Sequence, residues 1–575
     1  MAFKRLSGTL VAGALTLNFL SFCGKKENQV AKIFELTKPS ETGINFVNTV
    51  PENDTLNQST YHYIFNGNGV AVGDLNNDGL PEVIFTGNEK PAALYLNKGD
   101  FKFEDITQKA GLKTQYWMSG ISLADVNGDG YQDIYICRSG PDKMPERRRN
   151  LLFINNKNLT FTEKAGEWGI DDPGNATCAT FFDMDNDGDL DMYLGNHAEK
   201  FFQDMDQQFD RKRKMAMDNQ QHLYRNDGNK YTDISEEAGV LAKGYCLSAS
   251  AADFNNDGFT DLYICNDYQL PDYYYLNNGD GTFKECLNQY FKHTSMNSMG
   301  ADMVDYNQDG WTDIMTVDML SYEPRRFMLL AGNKPYEHYI TLIKKGFGFQ
   351  DIHNTLQTNN KGKGFSDLAY LNGVARSDWS WSPLFADFDN DGLSDLFITN
   401  GYYRDVTNMD FMLFQNRKEQ QMKQIVSQKE ILEKLPFEKL TNFAYKNNGN
   451  YNFSMVSNDW GLEEPTLSTG STYADLDKNG TLDLIICNQG EAAHVYKNVA
   501  KGNNYLRLKL NGANNKFGIG CKVYVETDSS KYLNQMQQSR GYQSCTEPIM
   551  HIGAGNAAAI KKLTVIWPGG KFQVL

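Results

Sequence analysis

An acidic nine-residue pattern, D-x-[DN]-x-[DN]-G-x-x-[DE], occurs seven times in this chain, starting at Asp74, Asp125, Asp183, Asp253, Asp305, Asp387 and Asp475. Each copy runs straight into a short apolar segment such as Glu82-Val83-Ile84-Phe85 or Asp261-Leu262-Tyr263-Ile264, whose composition predicts a strand. Successive copies start 51 to 88 residues apart, so the chain is a repeat array with insertions rather than one continuous core.

The spacing of oxygens in each loop points to a hard cation. Ca²⁺ takes six to eight oxygen ligands, and side chains at positions 1, 3, 5 and 9 can supply four of them. The candidate ligands are Asp74, Asn76, Asp78 and Glu82; Asp125, Asn127, Asp129 and Asp133; Asp183, Asp185, Asp187 and Asp191; and Asp253, Asn255, Asp257 and Asp261. The later loops offer Asp305, Asn307, Asp309 and Asp313; Asp387, Asp389, Asp391 and Asp395; and Asp475, Asp477, Asn479 and Asp483. The third and sixth loops carry four carboxylates and should bind most tightly. Gly at position 6 allows the positive φ that wraps a loop round an ion. An EF-hand is excluded, because position 12 holds Phe85, Ile136, Leu194, Ile264, Thr316, Ile398 and Ile486, never the bidentate Glu. Asp, Asn and Gly also make plain turns, but seven copies with an oxygen at every ligand position favour metal.

Charge agrees. The formal net charge is −16, which seven divalent ions would nearly cancel. Acidity concentrated in these loops also excludes a nucleic-acid partner, which requires a basic surface.

A second signature accompanies the loops. An aromatic-x-Asn strand follows most of them, as at Tyr95-Leu96-Asn97, Phe153-Ile154-Asn155 and Tyr496-Lys497-Asn498; it is delayed at Tyr224 and Tyr445 and degraded near Thr358-Asn359. With an outer Phe- or Tyr-centred strand, each unit has four strands. The predicted fold is all-β: a seven-bladed β-propeller with calcium-binding loops, followed by a small β-rich C-terminal domain. The seventh unit lacks its outer strand, and Ile44-Asn45-Phe46-Val47-Asn48 is expected to pair beside the Tyr496 strand and close the ring. Insertions at 201–221 and 406–434 read as helical.

These residues resemble the FG-GAP or VCBS-type repeats of integrin-α-like propellers. Gly518-Ile519-Gly520, Gly541-Tyr542-Gln543-Ser544, His551-Ile552-Gly553 and Trp567-Pro568-Gly569-Gly570 resemble the ASPIC/UnbV domain of cartilage-acidic-protein-like chains. The resemblance implies extracellular, calcium-stabilised binding or adhesion modules. The expected organisation is a signal peptide with a lipobox-like Cys over 1–23, a tether over 24–43, the propeller over 44–500 and the ASPIC/UnbV-like domain over 501–575. The last of these stops soon after Trp567, within an apparent strand, which suggests a trimmed domain or a fragment.

Lys4 and Arg5 precede an apolar stretch ending near Leu20-Ser21-Phe22-Cys23, too short to span a bilayer and ordered like a secretory signal. Cys23 is the expected lipidation site, giving an exported envelope or surface lipoprotein with a lipid anchor as its sole membrane contact. Three further cysteines, Cys137, Cys265 and Cys487, recur twelve residues after a motif's first Asp, where other units hold Thr86, Gly195, Val317 and Thr399. That register marks a tight packing slot. Cys246 with Cys265, and Cys521 with Cys545, are candidate disulfides. No catalytic motif is present, and His551 reads as structural. The function expected is non-enzymatic binding of a protein or glycan. The alternatives are a polysaccharide lyase or hydrolase using Trp379, Trp381, Tyr402, Tyr403 and Arg404 as a platform, or a surface subunit of an outer-membrane uptake complex.

Overall fold

The computed structural model describes residues 32–198, 220–330, 336–423, 426–527 and 531–575. Signal, lipidation and first-insertion expectations at 1–31, including Cys23, and at 199–219 lie outside these residues.

Seven four-stranded antiparallel units follow one another along the chain. In blade two, Met118–Ala124, Asp133–Arg138, Leu151–Asn155 and Phe161–Glu163 are consecutive in sequence and in space. Innermost strands touch their neighbours in order, and that of blade one touches that of blade seven, so the units form a closed propeller. Crowding at the axis explains the small residues there, such as Ser119-Gly120 and Ser248-Ala249-Ser250. A Cβ on Gly120 would lie 2.3 Å from the Thr177 carbonyl oxygen of the next blade. Outer strands instead bury only their first residue, as in Phe161–Glu163.

The closing strand differs from expectation. Phe34–Leu36, not Ile44–Asn48, pairs with His494–Asn498, with Phe34 opposite Asn498 and Leu36 opposite Tyr496. Phe34 packs against Phe388, Trp460 and Tyr496 at centroid distances of 5.5, 6.2 and 6.4 Å. Ile44 and Phe46 have the same alternating apolar character but wedge between blades one and seven, where Phe46 stacks on Phe85 at 5.0 Å. Ring closure thus draws on residues that composition alone assigned to a tether.

Two insertions carry helices on the face opposite the acidic loops. Met409–Asn416 and Gln428–Lys434 lie in the expected stretch of blade six. Pro324–Leu330 and Tyr336–Lys344, in blade five, were not anticipated. Buried Arg326 binds that insertion to Asp378 (2.8 Å), Asp405 (3.1 Å) and Glu438 (2.8 Å).

Every cysteine among the described residues is free and buried, so neither candidate disulfide forms. Cys246 lies beside Cys178, with sulfurs 3.9 Å apart, instead of Cys265. The packing slot does exist: a Cβ on Gly195 would meet the sulfurs of Cys246 and Cys178 at 2.5 and 2.8 Å. Cys521 lies within the small domain's core, and Cys545 belongs to a hairpin that leaves it.

That C-terminal domain pairs Asn504–Leu508 with Met550–Gly555 and adds a four-stranded sheet of Lys531–Gln535, Lys522–Glu526, Lys562–Ile566 and Phe572–Val574. Its Ser539–Arg540/Ser544–Cys545 hairpin enters the propeller axis and touches all seven innermost strands. Ala71 pairs in parallel with Cys545 there.

Candidate metal-binding loops

Each acidic loop connects the first and second strands of a blade, so all seven lie on one face. The turn is built by its own side chains. The position-1 Asp accepts the amide of the position-6 Gly in every loop, at 2.8–3.1 Å. That Gly takes φ of +85° to +96°, where a side chain is strained. Position 9 is the most buried ligand candidate. In blade three, Asp191 accepts the Met184 amide (2.9 Å) and the Asn226 amide (2.9 Å), welding the loop to the aromatic-x-Asn strand.

Asn of that strand then joins neighbouring blades. Asn226 Nδ2 donates to Val126 O (3.0 Å), Asn277 to Met184 O (2.7 Å), and Asn97 of blade one to Leu476 O of blade seven (2.9 Å). Even the degraded strand keeps the bond, through Asn359 to Phe254 O at 2.8 Å. Sequence reasoning identified these asparagines but not their acceptors, which belong to the preceding blade. It missed position 4 altogether. There Asn77, Asn186 and Asn390 adopt positive φ and donate to the glycine carbonyls of the following loops at 2.9, 3.2 and 2.8 Å. Recurrence of Asn at that position was the available signal.

Predicted ligands come together most fully in three loops. Carboxylate oxygens of Asp183, Asp185 and Asp191, of Asp387, Asp389 and Asp395, and of Asp475, Asp477 and Asp483 lie within 4.8 Å of one another. In the other four loops position 3 is Asn, so the carboxylates number three at most. Several buried oxygens have no hydrogen-bond partner: Asp74 Oδ1, Glu82 Oε1, Asp183 Oδ1, Asp313 Oδ2 and Asp477 Oδ1. Burial pushes the Asp183 carboxyl up to about 7, helped by Asp187 and Asp185. Burial likewise raises Glu82 to about 8 and Asp305 to about 7. Desolvated, crowded carboxylates with unpartnered oxygens are what a cation would relieve.

The loops are not equivalent. Lys446, the middle residue of blade six's aromatic-x-Asn strand, donates to Asp389 and to Asp391 (2.6 Å). Lys497 meets Asp477 at 2.6 Å. The C-terminal domain adds Arg507 on Asp475 (3.0 Å) and Lys522 on Asp253 (2.8 Å). It covers the loop face: Tyr505 lies over Gly480, His551 contacts Asn390 at 2.6 Å, and Asn514 donates to Asp187 O at 3.2 Å. Loop three has no Lys or Arg in direct contact with its ligand carboxylates among the described residues.

Trp379, Trp381 and Tyr402 do not form an open platform. Trp379 stacks on Tyr402 at 4.2 Å and Trp381 Nε1 donates to Gly401 O at 2.7 Å, all three being buried. Arg404 is held by Glu52 at 2.6 Å.

Fold and loops together define a seven-bladed β-propeller with repeated acidic loops, joined to a small β-rich C-terminal domain. FG-GAP-like repeat models match residues 74–136 and 253–316, and the ASPIC and UnbV model matches 511–575. Across most of its length the chain is similar to cartilage acidic protein 1. It is 23% identical to the Mus musculus protein over an alignment of 537 residues that covers 88% of this chain and 70% of that one. The Homo sapiens protein is 23% identical over 541 residues, 88% and 69% respectively. Among solved structures, an Agrocybe aegerita lectin recognising non-reducing terminal N-acetylglucosamine matches at 14% identity and TM-score 0.35, covering 72% of this chain and 84% of that one. A Bacillus licheniformis rhamnogalacturonan lyase matches at 12% identity and TM-score 0.36, covering 75% and 71%.

Proposed function

We propose that the protein is an exported, calcium-held propeller that acts as a non-enzymatic binding module for a protein or glycan. The observation that carries this reading is the convergence of position 1, 3 and 9 carboxylates with buried oxygens that no protein donor satisfies. An all-oxygen donor set fits Ca²⁺. When bound, the ion supplies charge neutralisation; the residues themselves fix the turn, join two strands of one blade and hold that blade to the next. Asp183, Asp185, Asp187 and Asp191 are the best-suited set. Blade six is weaker than its four carboxylates suggest, because Lys446 already neutralises two of them.

With the loop face covered by the C-terminal domain, ligand binding belongs on the opposite face. A cavity of about 300 Å³ there is lined by Phe65, Tyr403, Phe437, Lys439, Gln489 and Glu491. Its aromatic rings beside Gln489 Oε1 and Glu491 Oε1, both buried without a partner, suit a sugar's apolar face and hydroxyls. Export and lipid anchoring rest on the signal-like segment ending at Cys23.

The test is thermal unfolding with calcium and then with excess chelator, counting bound metal in parallel. Each saturated site should contribute about 2.7 kcal/mol at a hundredfold excess over Kd. Several bound Ca²⁺ and a large fall in Tm on chelation support the reading; no metal and no shift reduce the loops to acidic turns. A glycan array probed with the parent and Phe437→Ala then tests the cavity, and turnover of polysaccharide would overturn the non-enzymatic part.

A further inference from the structure

Away from the loop ring, His293, His353 and Asp367 converge on the outer part of blade five. His293 Nε2 lies 2.9 Å and His353 Nε2 2.8 Å from one oxygen, Asp367 Oδ2. All three donor atoms fall within 4.8 Å of one another. They come from three separate stretches. His293 precedes the short Thr294–Ser295 strand, His353 ends the blade-five insertion, and Asp367 ends the outermost strand, Phe365–Asp367.

The carboxylate is pre-oriented. Asp367 Oδ1 accepts the amides of Leu356 (3.0 Å) and Ala369 (2.9 Å), which leaves Oδ2 turned toward the imidazoles. Side chains of His353 and Asp367 are 4% exposed and that of His293 is 36% exposed, so the cluster is walled on one side and reached by solvent on the other. His353 Nδ1 has no hydrogen-bond partner.

We propose that these three residues bind one transition-metal ion of the zinc type, with a fourth position open to water or an external donor. Two imidazoles and one carboxylate are a borderline-soft set that selects Zn²⁺ over Ca²⁺. Bonds of about 2.0–2.1 Å in a tetrahedron put neighbouring ligand atoms roughly 3.3 Å apart. The observed separations of 2.8 and 2.9 Å therefore need to open by only a few tenths of an ångström. A carboxylate held by backbone amides behind its free oxygen is the outer-sphere support that metal ligands require. The ion would pin the return of the long insertion to the blade and to the segment that enters it. This site is independent of the loops and of their occupancy.

The full chain, saturated with calcium, would be given zinc as the sole transition metal, desalted and analysed for bound metal. The parent should retain one zinc per chain, and calcium should not displace it. His293→Ala, at the solvent side, should lower zinc retention roughly tenfold or more while staying folded in calcium, as its circular dichroism would show. His338→Ala, a histidine outside the cluster, should retain zinc like the parent. Cobalt in place of zinc should give the visible absorption of a four-coordinate site, lost in His293→Ala. Failure of the parent to retain zinc, or equal retention by His293→Ala, would overturn the proposal and leave a hydrogen-bonded His–Asp–His cluster.

Discussion

Asp267 shows how one buried side chain sets a pH response. It accepts the Tyr63 hydroxyl (3.1 Å) and the Tyr268 amide (2.7 Å) on the face opposite the loops, and burial pushes its carboxyl up to about 7. Unfolded, it would titrate near the usual carboxylate value, about 3.9. The folded state therefore binds more protons between those values, and stability falls as pH rises from about 4 to about 7. Asp272, also raised to about 7 by burial, acts in the same direction. In saturating calcium, Tm should be higher at mildly acidic pH than at mildly alkaline pH. Asp267→Asn should flatten that slope by an amount on the order of 2–4 kcal/mol; an unchanged slope would show that Asp267 does not titrate in this range. None of this was legible in the chain, because the Tyr63 and Asp267 that share the contact are far apart in sequence. The loop ligands were legible, because their partners lie within nine residues.

At the scale of the element, the aromatic-x-Asn strand is the one that ties each blade to the blade before it. Asn277 donates to Met184 O of the preceding blade (2.7 Å) and to Thr260 O of its own (3.1 Å). Asn277→Ala would orphan both carbonyls in a buried setting, at roughly 1–3 kcal/mol per group. Equilibrium unfolding in denaturant should show the loss as a lower midpoint; no change would mean that water replaces the amide. Periodicity exposed this strand because every blade needs it. It misplaced the closing strand because closure is needed once: Ile44–Asn48 and Phe34–Leu36 share one apolar alternation, and only packing decides between them. Phe34 fits the pocket of Phe388, Trp460 and Tyr496, whereas Phe46 fits against Phe85. The blade-five helices escaped notice for a related reason. Their anchor is Arg326, whose three carboxylate partners come from elsewhere in the chain.

For the whole molecule, the hairpin of the C-terminal domain is the piece that makes two domains one structure. Arg540 enters the axis and forks onto Asp302 with two bonds of 2.8 Å, beside the Tyr473 hydroxyl. Arg540→Met would strand the Asp302 charge, at a cost of about 3–5 kcal/mol, and the double variant with Asp302→Asn should recover most of it. Denaturant unfolding would measure the loss, and limited proteolysis should release the C-terminal domain faster from the single variant than from the double one. Equal stability of all three proteins would mean that the fork carries no net energy. Gly541-Tyr542-Gln543-Ser544 was readable as a motif, but its place inside the other domain's axis was not, since sequence similarity does not reveal which surface a loop fills.

The pairing of Phe34–Leu36 with His494–Asn498 has a consequence in time. The first strand among the described residues must wait for the seventh and last blade before it finds its partner. Until then blade seven's partner edge does not exist and the early strand has nothing to pair with. Blades one to six can form from local contacts, but closing a loop of more than four hundred residues comes late and slowly. Folding should therefore end, not begin, at the N-terminal strand, and the ring should be the last thing to close.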